Sequence, residues 1–229
     1  MTKSQFNFSI DPIGRRCFLL HNKMNIEELR RQLQLAEERA AKREGSLREQ
    51  MAADEAVAKA ERSLAEAQGF DYAVPCDVGC WPDAAVSNPV LVQTEGDTFL
   101  TFTAMKAGLD GLYEDAGTAV VEVEGCQITR FGYPNDEALP GHPLYARGLS
   151  AYGVFEVRNS RWVRELTEQN RVSFPSTPNS DQTHFIVSFH DSTFECIADA
   201  LKVTVTVQPY AEVFASISQR VFRESSGPC

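Results

Sequence analysis

Between Asn25 and Gln68 the apolar positions recur at helical spacing. Ile26, Leu29, Leu33, Ala36 and Ala40 advance in alternating steps of three and four, and Val57, Ala60, Leu64 and Ala67 resume the pattern further on. The positions between are mostly Ala, Glu, Arg, Leu and Gln, strong helix formers. Asn25 with Glu28 offers a cap at the start. The stripe falters at "KREGSLREQ", where Gly45 suits a helix end and Ser46 with Glu49 offers a second capping box. Two readings follow: a hairpin of two helices, or one long helix of about 66 Å that tolerates a glycine. Residues 24–69 are expected to form this helical arm, with residues 1–23 a loosely ordered extension.

From Phe70 the period changes. "NPVLVQT" and "DTFLTFT", divided by Glu95-Gly96, predict a β-hairpin. "TAVVEVEGCQITRF" predicts another that turns near Gly125, and "AYGVFEV" a further strand. "SRWVRELTEQN" predicts a helix with Trp162, Val163 and Leu166 on one face and Asn159 or Ser160 as cap. In "LKVTVTVQ" strict alternation puts Leu201, Val203, Val205 and Val207 inward. "YAEVFASISQRVF" predicts a closing helix that buries Val213, Phe214, Ile217 and Val221. Strands joined mostly by short turns, with two helices among them, make residues 70–229 an α+β domain, mainly antiparallel.

Composition changes this picture little. A hydrophobic share of 43% with 10% aromatics is that of a globular chain able to build a core. The net charge of −10 argues against nucleic acid or an anionic membrane surface as partner. No apolar run approaches the roughly 20 residues of a membrane span, and the start lacks a secretory h-region, so a cytoplasmic protein is expected. Its six cysteines should then be reduced. Cys76 and Cys80 are half of a zinc site at best, and are expected to pack near Trp81.

The densest chemistry lies in "HFIVSFHDSTFEC", His184 to Cys196. As a strand over 183–189 it sets Phe185, Val187 and Phe189 on a core face, and His184, Ile186, Ser188 and His190 on a face that alternates polar with apolar. Six residues of strand hold the two histidines about 20 Å apart, too far to share a metal. "HDST" supplies turn chemistry, and "FECIA" would return beside the first strand. That groups His190, Asp191 and Glu195 as a candidate catalytic set, with Cys196 as a possible thiol nucleophile or simply a small core residue.

The second dense stretch, residues 132–150, is long and rich in glycine and proline. Such a loop is functional, or else covers a sheet face. Asp136, Glu137 and His142, completed by His190, form a candidate ligand set for one divalent metal, suited to Zn, Mn or Fe.

"FGYPNDEALPGHPLYARGLSAYGVFEVRNSRWVRELTEQNRV" followed by "HFIVSFHDSTFECIA" resembles a family of uncharacterised, mostly bacterial proteins. In that family segments of the kind F-G-x-P-N-D-E-A, G-H-P-L and H-F-x-x-x-F-H-D-S-T-F-E-C follow in the same order. The likeness covers about residues 128–198 and leaves out the arm. It implies that these segments belong to one fold, and it brings no catalytic residue with it.

Two functions remain open. One is a ligand- or metal-binding domain, extending to a metal-assisted hydrolase, with its site where the 132–150 loop meets the 190–195 turn. The other is a non-catalytic interaction protein that forms a homo-oligomer through residues 25–68 and binds a protein partner.

Overall fold

In the computed structural model, residues 14–108 and 113–224 are described. The chain divides into two units, residues 1–69 and 70–229.

The first unit holds helices α1 (Gly14–Ala41) and α2 (Leu47–Ala67). Between them Gly45 takes φ +87, a left-handed conformation that costs a glycine little. The Ser46 side chain then accepts from Glu49 N–H while Glu49 reaches back to Ser46 N–H. Arg43 bonds Asp54 across the turn at 2.9 Å. Helix α1 runs through Asn25, so that residue starts no helix here. Of the expected extension, residues 1–13 lie outside the described residues.

The second unit is α+β and its strand pairs are antiparallel. Five strands form one sheet in the order β1 (Tyr72–Pro75), β7 (Gly153–Arg158), β8 (Thr183–Ser188), β9 (Thr193–Ala198), β6 (Ile128–Gly132). The other sheet runs β10 (Ala200–Thr206), β5 (Tyr113–Glu124), β4 (Thr98–Ala107), β2 (Trp81–Pro82), with β3 (Val90–Gln93) also paired to β4. The main core lies between the sheets. Leu100, Phe102, Ala119 and Val121 meet Val187, Phe189, Phe194 and Cys196 there. Helix α4 (Tyr210–Glu224) covers the far side of the second sheet, with Val213, Ile217 and Val221 against Phe99.

The β3–β4 hairpin forms, with Gln93 opposite Thr98. The hairpin predicted at Gly125 does not: β5 pairs with β4 and β10, whereas β6 pairs with β9. The chain changes sheets at Gly125 and changes back at Asp199, whose N–H donates to Glu124 O at 2.9 Å. A side chain at residue 125 would collide with Asp199, and φ there is +60, so the glycine serves a corner rather than a hairpin. Strand β10 also departs from its alternation. Leu201 and Val203 pack on the core, but Val205 is half exposed and Val207 is out in solvent. Pairing with β5 ends at Thr206 opposite Thr118, so Val207 lies past the ladder. Phe214 likewise sits partly exposed beside the three buried residues of α4.

The outer face of the first sheet is where the site lies. The loop over 132–150 folds back on it, and Leu139, Leu144 and Leu149 bury against Phe155, Val157 and Ile186. Strand β8 is therefore covered on both faces: His184, Ile186 and Ser188 are as buried as Val187. The face read as alternating polar with apolar is thus covered at His184 as well. Helix α3 (Arg161–Ser173) begins beside it, with Ser160 as N-cap accepting from Val163 N–H at 3.2 Å.

Candidate functional site

Residues directly opposite on neighbouring strands share a face. One row across the outer face reads Phe155, Ile186, Glu195, Arg130, and the next reads Val157, His184, Ile197, Ile128. His184 and Glu195 are thus diagonal neighbours, and His184 Nε2 lies 3.0 Å from Glu195 Oε2. His142, carried in by the covering loop, sets its Nε2 3.8 Å from Glu195 Oε1.

The bonding network assigns the His142 tautomer. Leu144 N–H donates to His142 Nδ1 at 3.2 Å, which leaves the ring proton on Nε2. Ser160 Oγ, which accepts from Val163 N–H, lies 3.0 Å from His184 Nδ1 and can donate to that nitrogen or accept from it. Both rings turn Nε2 toward Glu195. Burial pushes the Glu195 carboxyl up, but hydrogen bonding and charge from His142 and His184 outweigh it and lower its pKa to about 2. Glu195 is an ionised carboxylate with little exposure to water.

Above it is a cavity of about 440 Å³, lined by His142, His184, Glu195, Trp162 and three arginines, Arg130, Arg147 and Arg161. The Trp162 ring stands edge-on to His184 at 5.1 Å and carries the Arg130 guanidinium at 4.0 Å from its centroid. Arg147 pairs with Asp71 at 2.6 Å and Arg161 with Glu165 at 2.6 Å. Among the described residues no carboxylate pairs with Arg130. Asp71 and Glu165 line the same opening, so with Glu195 three carboxylates and three arginines meet around it.

A second polar group stands at the β8–β9 turn. Asp136 Oδ2 accepts from His190 Nδ1 at 2.9 Å and from the Tyr152 hydroxyl, while Oδ1 takes Glu137 N–H at 2.8 Å. Asp136 N–H donates to His190 O at 2.9 Å, so the loop does meet the turn. The bond to Asp136 pushes the Tyr152 phenol up to about 12, and the same bond holds Asp136 below its ordinary value. Tyr152 is held at φ +59, a strained setting for a residue with a side chain. The outer nitrogen of His190, Nε2, lies 4.0 Å from Asp191 Oδ1.

The structure divides the residues expected to act together. His190 and Asp191 stay at the turn, but Glu195 belongs with His184 and His142, because successive strand residues alternate faces and the covering loop brings its own histidine. The four expected metal ligands are split the same way: Asp136 and His190 bond to each other, His142 faces Glu195, and Glu137 is exposed. Among the described residues no group of three or more His, Cys, Asp and Glu side chains is arranged to hold a metal ion. Cys196 faces the opposite way into the core, and burial raises its thiol far above the ordinary range, which leaves it without nucleophilic character. Cys76, Cys80 and Cys126 are also unpaired, with Cys76 and Cys80 against the main core. Sequence reasoning missed His184, Trp162, Arg130 and Ser160 as site residues. The signal for His184 was present: "HFIVSF" is apolar enough on both faces to mark a strand covered twice.

His184→Ala should cost about 1–3 kcal/mol, since it strips a partner from the buried Glu195 and from Ser160. Urea denaturation of the variant measures this. An unchanged midpoint would show that the network contributes nothing.

The chain matches no family model, no curated protein and no solved structure. Among the described residues no helix is long and apolar enough to cross a membrane.

Proposed function

We propose that residues 70–229 form a small-molecule-binding domain whose site is the cavity above Glu195. The observation that carries this is a buried, ionised carboxylate at the side of an open cavity, flanked by His184 and His142. Burying an uncompensated charge is costly, so a purely structural cluster would close over it or pair it with a cation. Here the nearest cation across the strands, Arg130, lies on Trp162 instead. Concave sites that converge several polar groups beside an aromatic ring can fix a small ligand's orientation, and this cavity does so with Trp162. A thermal-shift screen against small metabolites tests the reading, because a ligand bound only by the folded state raises the melting temperature. At 100 times Kd the gain is about 2.7 kcal/mol. Stabilising compounds should lose their effect in Trp162→Ala. A broad library without one stabilising compound, or hits indifferent to Trp162, would contradict the proposal.

A second reading concerns assembly. Leu35 (46% exposed), Leu47 (74%) and Met51 (50%) leave apolar surface on the first unit, and Leu35 lines an Ala-rich groove between α1 and α2. We propose that the arm, as a helical hairpin, joins copies of this chain through residues 25–68 in coiled-coil fashion. The full chain carrying Leu35→Glu and Met51→Glu should then show a lower mass by light scattering than the wild type. Equal masses would refute self-association through this face. Membership of residues 128–198 in the family they resemble, and a bacterial cytoplasmic setting, belong to the same proposal; the unpaired cysteines support a reducing compartment.

A further inference from the structure

Arg130 and Glu195 stand directly opposite each other on β6 and β9, on the same face. Opposite charges so placed ordinarily close on one another. These two do not. Arg130 lies flat over Trp162, and Glu195 is turned to His184 and His142. Both line the cavity.

Each keeps unused capacity. An ionised carboxylate offers about four acceptor positions; His184 Nε2 stands 3.0 Å from one oxygen and His142 Nε2 3.8 Å from the other, which leaves positions open. Arg130 has five N–H donors in a planar fork that fits a carboxylate bidentately. A purely anionic ligand would be drawn to the arginines and repelled by Glu195. A purely cationic one would meet the reverse. A ligand with both charged groups on one carbon satisfies the pair.

Resting on the pocket reading above, we infer that the ligand is dipolar, a free α-amino acid, with its carboxylate on Arg130 and its ammonium group toward Glu195. The pocket walls contributed by Trp162 and Leu144 then face its side chain.

Isothermal titration of the full-length protein tests this with matched sets. Each L-amino acid is compared with the acid lacking its amino group and the amine lacking its carboxylate; for phenylalanine these are 3-phenylpropionate and phenethylamine. At least one amino acid should bind, and removing either charged group should weaken it tenfold or more. Arg130→Ala should weaken that amino acid at least tenfold and abolish its advantage over the amine. Glu195→Gln should abolish its advantage over the deaminated acid. Arg130 is exposed, so its variant keeps the test intact if Glu195→Gln folds poorly. If the deaminated acid binds as well as the amino acid, or if only metabolites of another class bind with dependence on Trp162, the dipolar class is wrong and the pocket stands. If no compound of any class binds with dependence on Trp162, the pocket reading fails as well.

Discussion

Below about pH 4 the protein should lose stability steeply, and Glu195→Gln should remove that loss. Glu195 has a folded pKa of about 2 against an ordinary 4.5. A depressed carboxylate stabilises the fold above its unfolded pKa, and that contribution fades as pH falls toward the folded value. Here the window runs from about pH 4.5 down to about pH 2. A shift of this size corresponds to about 3 kcal/mol at neutral pH. Urea denaturation of both proteins across that range reads it out. Wild type should exceed the glutamine variant by about 3 kcal/mol above pH 5, and the two should converge near pH 2. Parallel curves would mean that Glu195 is not held ionised by its histidines.

Phe189→Ala should be at least as damaging, at about 3–5 kcal/mol. The ring is 1% exposed and sits between the sheets, edge-on to Phe102 with centroids 5.5 Å apart. It also begins the β8–β9 turn, where Phe189 N–H donates to Ser192 O at 2.8 Å. Truncation would leave a cavity at the centre of the main core without disturbing that backbone bond. Thermal or urea denaturation checks it. A cost below about 1 kcal/mol would place Phe189 outside the core.

These two residues also show what the sequence could and could not disclose. Phe185, Val187 and Phe189 alternate cleanly, and "HDST" breaks the alternation with turn chemistry, so the β8–β9 strand pair was readable from local pattern alone. The grouping of Glu195 was not. Its meeting with His142 depends on how the 132–150 loop folds back over the sheet, and its position opposite Arg130 on the strand edge β6 joins, where the apparent β5–β6 hairpin pointed to the wrong sheet. Gly125 looks the same in a hairpin turn and at a corner between sheets; only the neighbouring Asp199 separates the two. The loop over 132–150 was marked as notable by its glycines and prolines. That it delivers His142 to one group and Asp136 to another follows from Leu139, Leu144 and Leu149 anchoring it across the sheet, a long-range packing fact. Trp162 read as a helix-face residue, and its second role beneath Arg130 requires the pairing of β6 with β9.

The cavity above Glu195 as a binding site is the central claim, and Trp162 is placed to report on it. The chain has two tryptophans, so Trp81→Phe leaves Trp162 as the single indole emitter. Titrating that protein with a compound that stabilises the wild type should change the Trp162 emission saturably, with the same Kd as calorimetry gives, and Arg130→Ala should weaken both together. Tight binding that leaves the Trp162 emission unchanged and survives Arg130→Ala would place the ligand elsewhere and contradict the account.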